Sequence, residues 1–315
     1  MSQSDGIGVL LMAYGTPDKA EDVEPYYTHI RRGRKPPAEL LQDLQERYRL
    51  VGGRTPLSDI SAAVRAGLEV RLNADGAGAY RVILGMKHWH PYIEQAVGEL
   101  DAEGIRRAVG LVLAPHFSSM SIAGYYDYIE QAQRKLGTDI QFERIDSWHL
   151  HPAYLEAVAA RIRARLAEFL CGSEVTVIFT AHSLPEKIVA MGDPYPEQLR
   201  ETSEALARML QLAHWTFSFQ SAGRTDDPWL GPDLVDTVHA LADGSVRHML
   251  VAPIGFVSDH LEILYDIDYE AQQAAKEHGV TLKRTEMLNA APDFIDGLAE
   301  LIQQRVADPG DAEPS

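Results

Sequence analysis

Three acids, Glu262, Asp266 and Glu270, recur at intervals of four residues within MLVAPIGFVSDHLEILYDIDYE at 249–270. On a helix that spacing lines them along one face, and like charges four apart repel, so the row asks for a cation or for solvent to screen it. Taken alone it reads as a solvated acidic face near a helix N-terminus, where the helix dipole favours acids. With a base nearby it reads as a place where a metal ion is handed over. His182, in TAHSLP at 180–185, is the candidate base, since an imidazole with an unperturbed pKa of about 6.5 suits a proton acceptor at neutral pH. Tyr14 lies in the comparable stretch MAYGTP at 12–17, and His88 and His116 follow two other apolar runs, each a ligand or a simple polar cap.

These residues need elements to hold them. Short β-rich runs fall at 6–13, 79–86, 107–114 and 139–144, and a second series falls at 174–181, 214–220, 246–252 and 280–285, with helical pattern between them. Strands alternating with helices call for parallel sheets covered on both faces, so the expectation is an α/β chain of two similar doubly wound domains, each with a four-stranded parallel sheet. The acidic row belongs to a helix expected to open at Ser258 or Asp259, after a strand that breaks at Ala252-Pro253. MAYGTP and TAHSLP each follow the first strand of their half, and Ala114-Pro115 and Ala252-Pro253 each follow the third. Ligands of open α/β sheets bind outside the carboxyl ends of strands. If the two edges face one another, Tyr14 and His182 look onto one cleft from opposite walls.

One segment breaks the repeat. The interval between first and second strands is far longer in the first half, and the excess is an insertion at about 20–58. Between 31 and 54 it carries Arg31, Arg32, Arg34, Lys35, Arg47, Arg49 and Arg54 against Glu39, Asp43 and Glu46, a basic patch in a chain of net charge −17. Guanidinium forks of such a lid would hold substrate carboxylates; the plainer alternative is a set of helix-end cations beside a turn at Gly52-Gly53. The expected division is a first domain at 1–150 containing this lid, a second at 151–290 with His182 and the acidic helix, a C-terminal helix at 291–307 packing back on the first domain, and a disordered tail at 308–315. The run from His151 to Leu170, apolar at Leu155, Val158, Ile162, Leu166 and Leu170, reads as a packed crossover helix.

Composition narrows the function. A pI near 5.1 argues against nucleic acid, which needs a basic face. No apolar run approaches a membrane span, and MSQSDGIG lacks the regions of a signal peptide, so a cytoplasmic protein without a transmembrane segment is expected. The single cysteine, Cys171, reads as a buried or half-buried thiol and excludes an internal disulfide and a cysteine-ligated iron–sulfur cluster. Neither G-x-G-x-x-G after a strand nor a phosphate-binding G-x-x-x-x-G-K-[ST] occurs, and no G-x-S-x-G elbow accompanies His182-Ser183, which disfavours nucleotide enzymes and hydrolases.

MAYGTP at 12–17, RYRLVGGRTPL at 47–57, GMKHWHP at 85–91, LAPHFSSMS at 113–121, TAHSLP at 180–185, FQSAGRTDDPWLGP at 219–232 and APIGFVSDHLEILYDIDYE at 252–270 together resemble the ferrochelatases over nearly the whole chain. Within that family the chain looks most like the coproporphyrin ferrochelatases of Gram-positive bacteria, which carry Tyr in the first loop. The resemblance implies a chelatase fold and His182 and Glu262 as the catalytic pair. Iron would meet His182, Glu262 and Tyr14, with Asp266 and Glu270 delivering it, and Arg31, Arg47, Thr55 and Tyr125 would stand near the propionates. Thr55 departs from the Ser of these relatives but keeps the hydroxyl. Trp229, Phe117 and Met120 would form an apolar wall or simply belong to the core.

Chemistry asks for such a set. Metallating a porphyrin removes two pyrrole protons while a hydrated cation loses water, and imidazole with carboxylates accepts ferrous iron without the grip of thiolates. Coproporphyrin carries four propionates against two in protoporphyrin, and the basic insertion has donors for all four. The expectation is therefore insertion of Fe(2+), as substrate and with no organic cofactor, into coproporphyrin III to give coproheme in haem biosynthesis. Its partners would be porphyrin, iron and a coproheme acceptor protein, and the chain is expected to be a monomer. The alternatives are a protoporphyrin IX ferrochelatase, a chelatase for another metal and tetrapyrrole, and a cytosolic haem or metal carrier.

Overall fold

The computed structural model describes residues 6–74, 80–170, 174–223 and 227–308. The readings of Cys171 and of the tail beyond Asp308 lie outside these residues. Among the described residues, eight strands form two sheets. In the first series β1 (Ile7–Ala13) is followed by α1 (Val23–Ile30), α2 (Ala38–Leu50), α3 (Leu57–Leu72), β2 (Tyr80–Met86), α4 (Ile93–Ala102), β3 (Arg107–Val112), α5 (Ala123–Leu136) and β4 (Gln141–Ile145). The second series runs through α6 (Pro152–Leu166), β5 (Thr176–His182), α7 (Lys187–Ala190), α8 (Tyr195–Leu210), β6 (Trp215–Gln220), α9 (Leu234–Asp243), β7 (His248–Ala252), a π-helical segment (Ile263–Ala271), α10 (Gln272–Glu277) and β8 (Thr281–Arg284), before α11 (Pro292–Ala307). The sheets have orders β2-β1-β3-β4 and β6-β5-β7-β8, parallel throughout. This is the two-domain α/β architecture expected from the repeat.

The central strands are apolar along their length because both faces are covered. Val9, Leu10, Leu11 and Met12 of β1 and Val177, Ile178 and Phe179 of β5 are fully buried. In register, Val9 lies between Val82 and Val109, and Phe179 between Phe217 and Ala252. Tyr14 thus follows the central strand of one sheet and His182 ends the central strand of the other. Each occupies the carboxyl edge where such sheets bind ligands.

One compact unit takes in the chain up to Glu46, Arg54–Trp148 and the chain from Asn289 onward, and the other comprises Arg47–Gly53 and His149–Leu288. The last turn of α2 and the loop after it thus group with the second unit. Within the first unit α11 packs on α3. Gly67 permits this, since a Cβ there would stand 2.6 Å from Ile295 Cδ1, and Arg71 Nε meets Asp296 Oδ1 at 2.6 Å. The insertion is helical, forming α1 and α2. The crossover run also ends earlier than its apolar pattern suggests: α6 stops at Leu166, and Leu170 is 81% exposed.

Candidate functional site

In the second unit β5 delivers His182 to the sheet edge, where the ring's Nδ1 meets the carbonyl of Ser183. A carbonyl only accepts, so Nδ1 carries the proton and Nε2 keeps its lone pair. Burial lowers the His182 pKa from its ordinary value; the Glu262 carboxylate and the bond to Ser183 oppose this, and His260 adds to it. The ring at neutral pH is therefore in its acceptor form. Tyr195 Oη donates to the His182 carbonyl at 3.0 Å, fixing the backbone that carries it.

Gln220, 1% exposed at the end of β6, ties His182's strand to Glu262. Its Oε1 accepts from Thr180 Oγ1 at 2.8 Å, its backbone carbonyl accepts from Ser183 N at 2.7 Å, and its Nε2 donates to the Glu262 carbonyl at 3.1 Å. Gly255 lets the loop after β7 lie against β5, since a Cβ there would come 2.5 Å from Ala181 Cβ. The Glu262 side chain, one-third exposed, has Oε2 3.2 Å from His260 Nε2, whose Nδ1 donates to the Ser258 carbonyl at 2.8 Å.

The acidic row departs from expectation in two ways. Its helix begins at Leu261 rather than at Ser258 or Asp259, and from Ile263 to Ala271 it is a π-helix. The wider turn of i→i+5 bonds makes four residues fall just short of a full turn instead of just beyond one. Nor is the middle of the row solvated. Asp266 is 6% exposed; its Oδ2 accepts from Ser221 Oγ, and its Oδ1 lies 3.7 Å from Arg47 Nη1. Burial pushes its pKa up to about 7, against the Ser221 bond, with Glu262 and Glu270 raising it further and Arg47 lowering it. Arg47 is thus drawn to this acid, its guanidinium 4.6 Å from the centre of the Tyr265 ring.

The first unit holds the other candidates. Tyr14 is 41% exposed, its ring 4.7 Å from that of His88, whose backbone N–H bonds the Tyr14 carbonyl at 2.9 Å. His88 Nδ1 meets His29 Nδ1 at 3.2 Å, and burial, then Lys87 and His29, push the His88 pKa down to about 3. Thr55 is 1% exposed, with its hydroxyl 2.9 Å from that of Thr16. Tyr125 is buried beneath Lys87, whose Nζ lies 4.6 Å from the ring centre and whose pKa burial lowers to about 8. Arg31 presents a buried Nε that has no hydrogen-bond partner among the described residues. His116 is buried, Phe117 packs on the first core, and Met120 is exposed.

Sequence reading missed Gln220, Ser221, His260 and Lys87. The H-x-E spacing of His260 and Glu262 was available as a signal; Gln220 and Ser221 act through contacts 37 to 45 residues away in sequence and leave none. Among the described residues no group of three or more His, Cys, Asp or Glu is placed to hold a metal ion. The expected metal set of His182, Glu262 and Tyr14 contains only two such residues, both in the second unit.

The family model described as ferrochelatase matches residues 6–306. A ferrochelatase of Herpetosiphon aurantiacus is 45% identical over 296 residues, covering 93% of this chain and 97% of its own. Coproporphyrin III ferrochelatases of Geobacillus kaustophilus and Halalkalibacterium halodurans are 45% and 43% identical, each over 96% of this chain and 97% and 98% of their own. Among solved structures, the sirohydrochlorin chelatase SirB of Bacillus subtilis subspecies spizizenii with cobalt aligns with a TM-score of 0.59 at 10% identity, over 96% of this chain and 97% of that one. SirB from Bacillus subtilis with Fe3+ aligns at 0.61 and 12%, over the same shares. At such identities these two likenesses concern the fold alone.

Proposed function

The chain belongs to the ferrochelatase family, and on that premise we propose that it inserts Fe(II) into coproporphyrin III, releasing two protons and coproheme. The reading of the substrate rests on relatives of that name at 43–45% identity over nearly the full length. The reading of the chemistry rests chiefly on one observation, the contact of His182 Nδ1 with the Ser183 carbonyl, which requires the proton on Nδ1 and leaves Nε2 as the acceptor. His182 takes a pyrrole proton at Nε2, and Glu262 stabilises the imidazolium that forms and offers a route onward before the second proton follows. Glu270 supplies charge for the incoming dication, and Asp266, whose pKa burial raises to about 7, does so as it gives up its proton. In this proposal Tyr14 stands beside the metal, and Arg31, Arg47, Thr55 and Tyr125 serve the porphyrin. The buried, unpaired Nε of Arg31 supports its part, because an unsatisfied buried donor is costly until a carboxylate reaches it.

No iron–sulfur cluster is invoked, since the sequence holds one cysteine. Among the described residues no helix is long and apolar enough to cross a membrane. A cytoplasmic, monomeric enzyme passing coproheme to an acceptor protein completes the proposal. It is tested by anaerobic iron insertion into coproporphyrin III and protoporphyrin IX side by side at one ionic strength. Coproporphyrin is expected to give the higher kcat/KM, with Arg31→Ala narrowing the gap and added salt narrowing it further. Equal or better efficiency with protoporphyrin IX overturns the substrate, and porphyrin binding without turnover identifies a carrier.

A further inference from the structure

Five acids crowd the segment from 259 to 270: Asp259, Glu262, Asp266, Asp268 and Glu270. One guanidinium sorts them. Arg284, the last residue of β8, has a side chain only 15% exposed. Its Nε and Nη2 donate to the two oxygens of Asp268 at 2.8 Å each, and Nη2 stands 3.1 Å from Asp259 Oδ1. Its Nη1 donates to the Thr285 carbonyl at 3.0 Å, which holds the fork to the edge of the sheet.

The placement of these two acids is the telling feature. Asp259 precedes Glu262 by three residues and Asp268 lies two beyond Asp266, so Arg284 grips the loop before the helix and the middle of the π segment together. Asp266 and Asp268 leave the helix on different sides, the first to Ser221 and Arg47, the second to Arg284. A π turn is an uncommon backbone state and persists where outside contacts hold it. A bidentate fork is directional, so it fixes the rotation of the segment as well as its distance from the sheet. Arg284 engages Asp259 and Asp268, and the acids of the segment outside its reach are Glu262, Asp266 and Glu270.

We propose that Arg284 is a positioning residue for the metal: by clasping Asp259 and Asp268 it sets the rotation of the π segment, and so aims Glu262, Asp266 and Glu270 at the dication. This rests on the reading that those three acids handle iron.

The test combines Arg284→Met, Arg284→Lys and Asp268→Asn with anaerobic Fe(II) titrations at saturating porphyrin. It adds porphyrin binding by fluorescence quenching and hydrogen exchange of the amides at 263–271. In Arg284→Met the KM for iron should rise about five- to tenfold with kcat within about twofold and porphyrin affinity unchanged. Arg284→Lys, which keeps the charge but loses the fork, should fall between. Asp268→Asn should shift KM in the same direction, and the double variant should be no worse than Arg284→Met, because Arg284→Met already removes the contact with Asp268. Exchange at 263–271 should accelerate. If Arg284→Met does not fold, Arg284→Lys and Asp268→Asn carry the comparison. Unchanged KM in the folded variants, additive single effects, or faster exchange without a change in KM overturns the proposal. Failure of the underlying reading looks different: Glu262→Gln and Glu270→Gln would then leave iron kinetics unaltered whatever Arg284 does to exchange.

Discussion

Replacing Asp266 with Asn removes a carboxyl group that the fold holds protonated far above its ordinary range. Its pKa of about 7 against 3.8 for the free side chain means that ionising it in the folded protein works against burial and the nearby Glu262 and Glu270, with Ser221 and Arg47 offsetting only part. An acid whose folded pKa is raised contributes stability that is complete below the unfolded pKa and is lost as the pH climbs to the folded one. The window is therefore about pH 4 to 7. Over it the loss totals about 4 kcal/mol at about 1.36 kcal/mol per unit, of which roughly 2 to 3 kcal/mol falls between about pH 5 and pH 8. Asn cannot ionise, so the stability difference between Asp266→Asn and the parent protein should grow in favour of Asn across that interval and level off above about pH 7. Urea denaturation of both proteins at a series of pH values in the presence of a chelator measures it. A flat difference, or one in which the parent gains on Asn as pH rises, would refute the reasoning and show that Arg47 outweighs burial.

His182→Ala should abolish metal insertion while leaving porphyrin affinity within about tenfold, read by single-turnover metallation and fluorescence titration; metallation at more than a few per cent of the parent rate sinks the assigned role. Glu262→Gln should lower the maximal rate, whereas Glu270→Gln should chiefly raise the iron concentration needed, and the reverse pattern in steady-state kinetics would reassign both. Gly255→Ala should cost both stability and activity, because its Cβ would stand 2.5 Å from Ala181 Cβ and 2.8 Å from Ala181 Cα, in the strand that presents His182. A variant with parent thermal stability and turnover would mean that this loop yields without moving the strand.

The sequence alone determined where the inner strands lie, because an inner strand of a doubly covered parallel sheet is apolar on both faces, and runs such as Ile7–Ala13 and Thr176–His182 carry that requirement locally. It also determined that Tyr14 and His182 occupy matching strand ends, since the series of strands is written twice and a strand's place in its series needs no distant contact. Tertiary structure decided the rest. Spacing by four read Glu262, Asp266 and Glu270 as one face of an α-helix; the backbone is instead a π-helix, with Asp266 between Ser221 and Arg47 and Asp268 against Arg284. Those partners lie between 16 and 219 positions away along the chain, so no local period encodes them. For the same reason charge counting could find the basic insertion but could not divide it, with Arg31 in one unit and Arg47 in the other. Whether a carboxylate is solvated, buried and protonated, or neutralised depends on what packs against it, and packing is settled only when distant segments meet.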